Sequence, residues 1–215
     1  MRGEIILKRF FDFTTSLIVL IIFSPLFLIL GILVKKDSEG PVFYRQVRIG
    51  KNGKSFKIFK FRTMVNNADK SGVTSTKDDD VRITKMGRFI RKYNLDELAQ
   101  FINVLKGEMS IVGPRPEIPY FVSMFTEDEK KVILSVKPGI TDWACIWNSD
   151  EAKLLAGSDD PDRDYLEKIR PEKIRLQLKY VREHSFWIDF KIMLMTLKVH
   201  LFVPIIKTLR GKREF

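Results

Sequence analysis

The longest apolar segment of the chain runs from Leu17 to Val34, LIVLIIFSPLFLILGILV, broken only by Ser24-Pro25. At about 1.5 Å per residue, a straight helix of this length barely crosses a hydrocarbon core of ~30 Å. Pro25 keeps it from being straight, because it has no N–H for the carbonyl of Ile21 and its ring clashes with that carbonyl. The Ser24 hydroxyl is expected to bond back to Leu20 and satisfy part of the opened backbone. Lys8 and Arg9 precede the run and Lys35 and Lys36 follow it. The positive-inside rule therefore places both ends in the cytoplasm. A kinked helix that enters and leaves on one side meets both constraints, with a second limb from Pro25 to Val34 reaching roughly 15 Å. An ordinary single-pass helix competes with this reading. A cleaved signal peptide fits less well: the apolar core exceeds the usual ~7–15 residues, and no A-x-A-like site follows. A buried soluble helix also fits poorly, because the run is apolar all round.

Beyond the run, the patterning turns mixed. Pro41 to Ile49 and Ser55 to Arg62 alternate as strands, and Gly50-Lys51-Asn52-Gly53 between them predicts a hairpin. Val73 to Asp80 is a polar loop. Thr84 to Tyr93 and Leu95 to Leu105 have the spacing of short helices, the second with Asn94 as N-cap and Glu97 as capping-box partner. Lys106 to Pro116 is a shaped loop rich in Gly and Pro. Ile118 to Phe125 and Glu127 to Ser135 are helical, Lys137-Pro138-Gly139 is a turn, and Ser149 to Asp164 is an acidic loop with a short helix. Pro171 to Glu183 is a helix begun by proline. Phe186 to Leu209 has helical apolar spacing with Lys191, Lys198 and Lys207 on other faces and a bend at Pro204. It is too charged to span, so it lies either on a membrane surface or on the domain core. The basic tail Lys207 to Arg213 favours anionic headgroups.

The expected architecture is α+β: a re-entrant helix–break–helix anchor (1–36), a small cytosolic catalytic domain with a β-hairpin and several short helices (37–184), and C-terminal interfacial amphipathic helices with a basic tail (185–215). About 180 residues follow the anchor, enough for one real core. The net charge of +11 suits an anionic partner: headgroups, nucleic acid or phosphorylated substrates. The single cysteine, Cys145, permits no intrachain disulfide, which fits a reducing compartment; between Trp143 and Trp147 it suits a small buried residue better than a nucleophile.

Several motifs are ruled out. Gly53-Lys54-Ser55 imitates the end of a P-loop, but Arg48 stands where the first glycine belongs. His184 and His200 match no zinc spacing. Lys57, Lys60 and Arg62 alternate with Phe56, Phe59 and Phe61, which is more simply a strand with one basic face than a nucleic-acid platform. What remains is a window of cations around a carboxylate pair: Lys60, Arg62, Asp79, Asp80, Arg82, Arg88, Arg91, Asp96, Glu97 and Arg115. Arg88 and Arg91, three apart, share a helix face. Guanidinium forks hold phosphate oxygens, and carboxylates hold Mg²⁺ or act as nucleophiles. Asp96 and Glu97 point about 100° apart on a helix and so have different tasks. Asp96 at a helix start is expected to stay ionised. Solvated surface ion pairs would account for the same composition.

The ordered motifs are more specific. The chain resembles the bacterial monotopic phosphoglycosyl transferases, the bacterial sugar transferase family, over nearly its whole length. The marks are Lys8-Arg9-Phe10-Phe11-Asp12, Ser24-Pro25, Gly40-Pro41-Val42-Phe43-Tyr44-Arg45-Gln46, Lys60-Phe61-Arg62-Thr63-Met64, Gly87-Arg88 with Arg91, Leu95-Asp96-Glu97-Leu98-Ala99-Gln100, Asn103 to Pro116, and Lys137-Pro138-Gly139-Ile140-Thr141. The resemblance implies transfer of a phospho-sugar from a UDP-sugar to a polyprenol phosphate at the cytoplasmic face of the bacterial inner membrane, with release of UMP. It implies Asp96 as the nucleophile, a covalent aspartyl phospho-sugar, Mg²⁺ organised by Asp96 and Glu97, and a re-entrant anchor broken at Ser24 and Pro25. Lys60, Arg62, Arg88, Arg91 and Arg115 are the implied phosphate contacts, and Gln100 the implied support. No nucleic acid partner is expected. Direct attack by the lipid phosphate, or an inactive basic module bound to membrane or nucleic acid, are the alternatives. Two positions depart from the family pattern: Ala99 replaces a proline, and Asp142-Trp143-Ala144-Cys145-Ile146-Trp147-Asn148 replaces a segment beginning with glycine, in a region that can shape the sugar or nucleotide pocket. The extra N-terminal helices of longer members are not seen, so a minimal form is expected.

Overall fold

The computed structural model describes residues 2–71, 75–77, 79–148 and 154–199. Helix α1 (Arg2–Ile22) and helix α2 (Ser24–Asp37) meet at an angle of 63°. Among the described residues no single helix is long and apolar enough to cross a membrane; only together does this bent pair have that length and apolar composition. Pro25 sits in the first turn of α2, where its missing N–H costs nothing. The Ser24 hydroxyl donates to the carbonyl of Ile21 at 2.8 Å, one residue on from the expected Leu20, because the break leaves that carbonyl open.

The hairpin is present but its strands are interrupted. β2 (Val47–Ile49) pairs with β3 (Ser55–Lys57), and β1 (Phe43–Tyr44) pairs with β4 (Lys60–Phe61), both antiparallel. Between the two short ladders, Ile58 still donates to the Gln46 carbonyl. The turn between β2 and β3 uses positive φ at Asn52 and Gly53. Helix α3 (Lys85–Lys92) is capped by the Thr84 hydroxyl, which accepts from Gly87. A 3₁₀ turn, Leu95–Ala99, leads into helix α4 (Gln100–Lys106). Strand β5 (Ser110–Val112) pairs in parallel with β6 (Gly139–Thr141). Between them stand α5 (Pro119–Ser123) and α6 (Glu127–Ile133), the latter closed by a full Thr126–Glu129 capping box. Short helices α7 (Trp143–Trp147) and α8 (Pro161–Asp164) follow. A π-turn, Tyr165–Ile169, joins α8 to α9 (Arg170–Glu183), and α10 (Phe186–Leu197) comes last.

The main core gathers Ile58, Val104, Met109, Ile111, Val112, Tyr180, Val181 and Ile192. A second cluster joins Leu30 and Val34 of α2 to Phe61, Ile90 and Ala99, so the helical pair is built into the body. Ala99 is fully buried there, and the departure from proline produces no break beyond the 3₁₀ turn.

Polar residues of α1 are committed to the body as well. Asp12, buried, accepts from the Ser110 hydroxyl (2.8 Å) and the Ile111 amide (3.1 Å). Arg9 donates to the carbonyls of Val104 and Leu105 at the end of α4. Lys8 donates to the Val112 carbonyl and pairs with Asp189 of α10. Lys8 and Arg9 are therefore not free flanking charges, as the positive-inside argument had them; they fix α1 to β5 and α4. Helix α10 packs on the core through Ile188, Ile192 and Met193, while Trp187, Phe190, Leu194 and Leu197 face outward. Over its described residues this stretch thus packs one face on the core and leaves an apolar face outward. Pro204, His200 and the basic tail lie outside the described residues.

Candidate active site

A wide cleft is lined by Thr15 and Val19 of α1, by Lys60, Asp96, Glu97 and Arg115, by Glu117, Tyr165 and Lys173, and by Trp147, Asn148 and Thr196. Its centre is the Asp96-Glu97 pair on the 3₁₀ turn. Asn94 adopts a left-handed conformation (φ 52°) and makes no side-chain cap. The expected capping box is therefore absent, and the Glu97 carboxylate is free to face the cleft. Its Oε1 accepts from Lys60 Nζ at 2.9 Å, and Arg115 grips it with both terminal nitrogens, one of them reaching Oε2 at 3.1 Å. Asp96 is 8% exposed, and its Oδ2 lies 3.8 Å from Lys60 Nζ.

Electrostatics separate the two acids. Burial pushes the Asp96 carboxyl above its ordinary value; Lys60 opposes that shift, and Glu97 adds to it. The turn that carries Asp96 is a single 3₁₀ turn, which supplies little of the dipole expected to lower its pKa. Glu97 is buried too, yet Arg115 and Lys60 hold it far below the usual carboxylate range.

The fold explains how these groups converge. Lys60 is carried on β4, which α4 fastens through Asn103: its Oδ1 accepts from the Phe59 amide (2.8 Å) and its Nδ2 donates to the Lys57 carbonyl (3.0 Å). Arg115 follows β5 in the loop Gly113-Pro114-Arg115-Pro116. A Cβ on Gly113 or Gly139 would fall on the backbone of the other segment, so only glycine lets the two Pro-Gly loops touch. Asp142 Oδ2 accepts from the Arg115 amide (3.2 Å), and Gln177 donates to the Arg115 carbonyl (3.3 Å). Asn103, Asp142, Gln177 and Asp12 are positioning residues that sequence reasoning did not assign. Asn103 and Asp12 stood inside quoted motifs, whereas Gln177 gives no sequence signal.

The remaining sequence candidates divide. Arg88, exposed, and Arg91, half-buried, both line the cleft, and Arg91 Nε donates to Thr63 Oγ1 at 2.8 Å. Arg62 is not at the dyad. It is buried, and its guanidinium donates to Pro41 O, Ser38 O, Ser38 Oγ, Glu39 O and Val34 O, fastening the end of α2. Gln100 is fully buried, and neither atom of its amide has a hydrogen-bond partner. Burial pushes the Cys145 thiol far up, which agrees with an inert cysteine.

Among the described residues no group of three or more His, Cys, Asp or Glu side chains converges as a metal cage. Two adjacent carboxylates still fit Mg²⁺, which typically takes one or two carboxylates and completes its shell with waters and substrate phosphates. Zinc-type ligation does not fit.

The bacterial sugar transferase family model matches residues 3–203. The chain is 38% identical over 197 residues to a UDP-N-acetylgalactosamine-undecaprenyl-phosphate N-acetylgalactosaminephosphotransferase of Aeromonas hydrophila, covering 91% of this chain and 44% of that protein. It is 40% identical over 195 residues to a UDP-glucose:undecaprenyl-phosphate glucose-1-phosphate transferase of Escherichia coli (strain K12), covering 89% of this chain but 39% of the relative. An uncharacterized sugar transferase of Bacillus subtilis (strain 168) is 38% identical over 193 residues and is covered over 86% of its length. The chain thus spans less than half the length of the first two relatives.

Proposed function

This chain belongs to the bacterial sugar transferase family, and we propose that it transfers a phospho-sugar from a UDP-sugar to a polyprenol phosphate, releasing UMP, through a covalent intermediate on Asp96. The observation that carries this reading is the unequal dyad: Glu97 is held by Lys60 at 2.9 Å and by the Arg115 fork, while Asp96 beside it meets Lys60 at a looser 3.8 Å and lines a cleft continuous with α1. Two relatives named for UDP-sugar and undecaprenyl phosphate support the substrate class.

An Asp96 carboxylate oxygen bonds to the β-phosphorus, and the bond from that phosphorus to the oxygen bridging to the α-phosphorus breaks. UMP leaves with that oxygen. A lipid phosphate oxygen then attacks the same phosphorus, and Asp96 leaves as carboxylate. The product is polyprenyl diphospho-sugar, with one phosphoanhydride broken and one formed. Lys60 and Arg115, pre-aimed by Glu97, stabilise the charge that builds on the phosphoryl oxygens. Arg88 and Arg91, on the cleft wall, offer further cations. Bound Mg²⁺, held by Asp96 and Glu97, would neutralise diphosphate charge and favour the ionised form of Asp96. The exposed apolar residues of α1, α2 and α10 suit contact with lipid, with both limbs of the bent pair on the cytoplasmic face of the inner membrane.

Incubation with a UDP-sugar and Mg²⁺ but no lipid should add one phospho-sugar mass to the peptide carrying Asp96. Asp96→Asn should carry no adduct and should not release UMP. An adduct elsewhere, or turnover without any adduct, would replace the covalent step with direct attack by the lipid.

A further inference from the structure

The residues lining the cleft beyond the dyad include two chemically different sets. One is strongly cationic and carries Arg48, Arg82, Arg88, Arg91 and Lys173. The other, around α7, is uncharged: Thr141, Ala144, Cys145, Trp147, Asn148 and Thr196, with Ile140, Met193 and Leu197 beside them. This second set centres on the segment that departs from the family pattern. Trp147 is 45% exposed. Asn148 Nδ2 is buried and has no hydrogen-bond partner, although a buried donor left unpaired is costly. Asn148 itself lines the cleft, and a turn of its side chain would bring that donor to a ligand acceptor there.

This set is tied to the reacting centre. Asp142 caps α7 by accepting from the Cys145 amide at 2.7 Å, and its other oxygen accepts from the Arg115 amide. One carboxylate therefore sets both the catalytic arginine and the axis of α7. Cys145 is within electrostatic reach of Arg115 and Glu97. From Asp142 to Trp147 the helix rises roughly 7 Å, a short reach from the loop that meets the phosphorus.

Resting on the proposed phosphoglycosyl transfer, we infer that Trp147 and Asn148 form the subsite for the sugar ring of the donor and set which sugar is accepted. An exposed indole face offers a flat apolar platform for the C–H face of a pyranose. The unpaired Asn148 amide offers one donor to a ring substituent, either a hydroxyl or an acetamido carbonyl. The absence of charge in this set matches a neutral sugar, as the cationic set matches the phosphates and what they carry. An isoprenoid tail fits less well, since it has no acceptor for Asn148 and would bury the Thr141–Thr196 hydroxyl pair (2.7 Å).

The test measures kcat/KM of the full chain with UDP-glucose, UDP-galactose, UDP-N-acetylglucosamine and UDP-N-acetylgalactosamine, with UDP as competitive inhibitor. Asn148→Leu should lower kcat/KM for the preferred sugar by about tenfold, compress the preference among the four, and leave inhibition by UDP unchanged. Trp147→Ala should raise KM for every sugar with UDP again unaffected, and Trp147→Phe should recover most of the loss. An equal fall for all four sugars together with UDP would mean general damage to the site and would overturn the subsite. So would an unchanged preference, or a rise in KM confined to the polyprenol phosphate. Release of no UMP by wild type from any of the four sugars would instead count against the transferase reading itself.

Discussion

Arg115 is aimed by groups from four places in the chain: its amide by Asp142, its carbonyl by Gln177, and its guanidinium by Glu97 and the Ile140 carbonyl. A lysine would keep the charge but could meet Glu97 through only one nitrogen and would lose the fork. Arg115→Lys should therefore reduce UMP release by about 10²-fold or more, with an unfolding temperature close to wild type; activity near wild type would show that the loop is merely structural. Glu97→Gln should be nearly as severe, because a neutral amide no longer holds two cations, and raised Mg²⁺ should restore part of the rate if Glu97 also organises the metal. That these residues belong together was legible from their types and order. The geometry of Glu97 was not. A capping box fits Asn94 and Glu97 by spacing alone, but Asn94 turns left-handed and the carboxylate goes to the cations instead. Only the three-dimensional meeting of β4, the 3₁₀ turn and the loop after β5 reveals that choice.

At the scale of elements, Arg62 corrects the reading most instructively. Its place beside Lys60 in Lys-Phe-Arg-Thr suggested a phosphate ligand on the same strand face, yet β4 ends at Phe61 and the Arg62 side chain turns to the end of α2. Lys60 reaches the dyad, while Arg62 closes the end of α2 by satisfying carbonyls that the helix leaves open. Arg62→Met should leave several carbonyls unpaired and cost about 3 kcal/mol or more, read as a lowered unfolding temperature in detergent. KM for the UDP-sugar should stay near wild type in the protein that remains folded; a raised KM without loss of stability would restore the phosphate role. The bend at Ser24-Pro25 was legible because proline geometry is local. The commitment of Lys8, Arg9 and Asp12 to β5 and α4 was not, because those partners lie about a hundred residues away. Replacing both Ser24 and Pro25 by alanine should close the break into one straighter helix. Cysteine labelling in intact cells near Arg2 and Ser38 should then move from both ends inside toward opposite sides; protection of both ends in that variant would show that packing against the body, and not the break, sets the bend.

At the scale of the whole molecule, charge is distributed by depth. Outward faces of α1 and α10 are apolar, cations line part of the cleft, and a buried ion pair stands in its lining. There Glu117, 8% exposed, pairs with Lys173 Nζ at 2.5 Å and accepts from the Tyr165 hydroxyl at 3.1 Å. Burial works against the Glu117 charge, but Lys173, Arg48 and the hydrogen bonds outweigh it, so its pKa lies below the ordinary 4.5. A carboxylate depressed in the folded state contributes stability that is complete above its unfolded pKa and is lost as pH falls from there through the folded value. Asp80, depressed by Arg82, and Glu97, depressed by Arg115 and Lys60, act in the same direction. Unfolding free energy should therefore hold level near neutrality and decline once pH drops below about 4.5. Glu117→Gln isolates one share of that decline. It leaves Lys173 buried without its counter-charge, so it should cost about 3–5 kcal/mol at pH 7, and its deficit relative to wild type should narrow as the pH is lowered. A deficit that stayed constant down to pH 3 would mean that Glu117 is held by shape and hydrogen bonds alone, with no contribution from its charge.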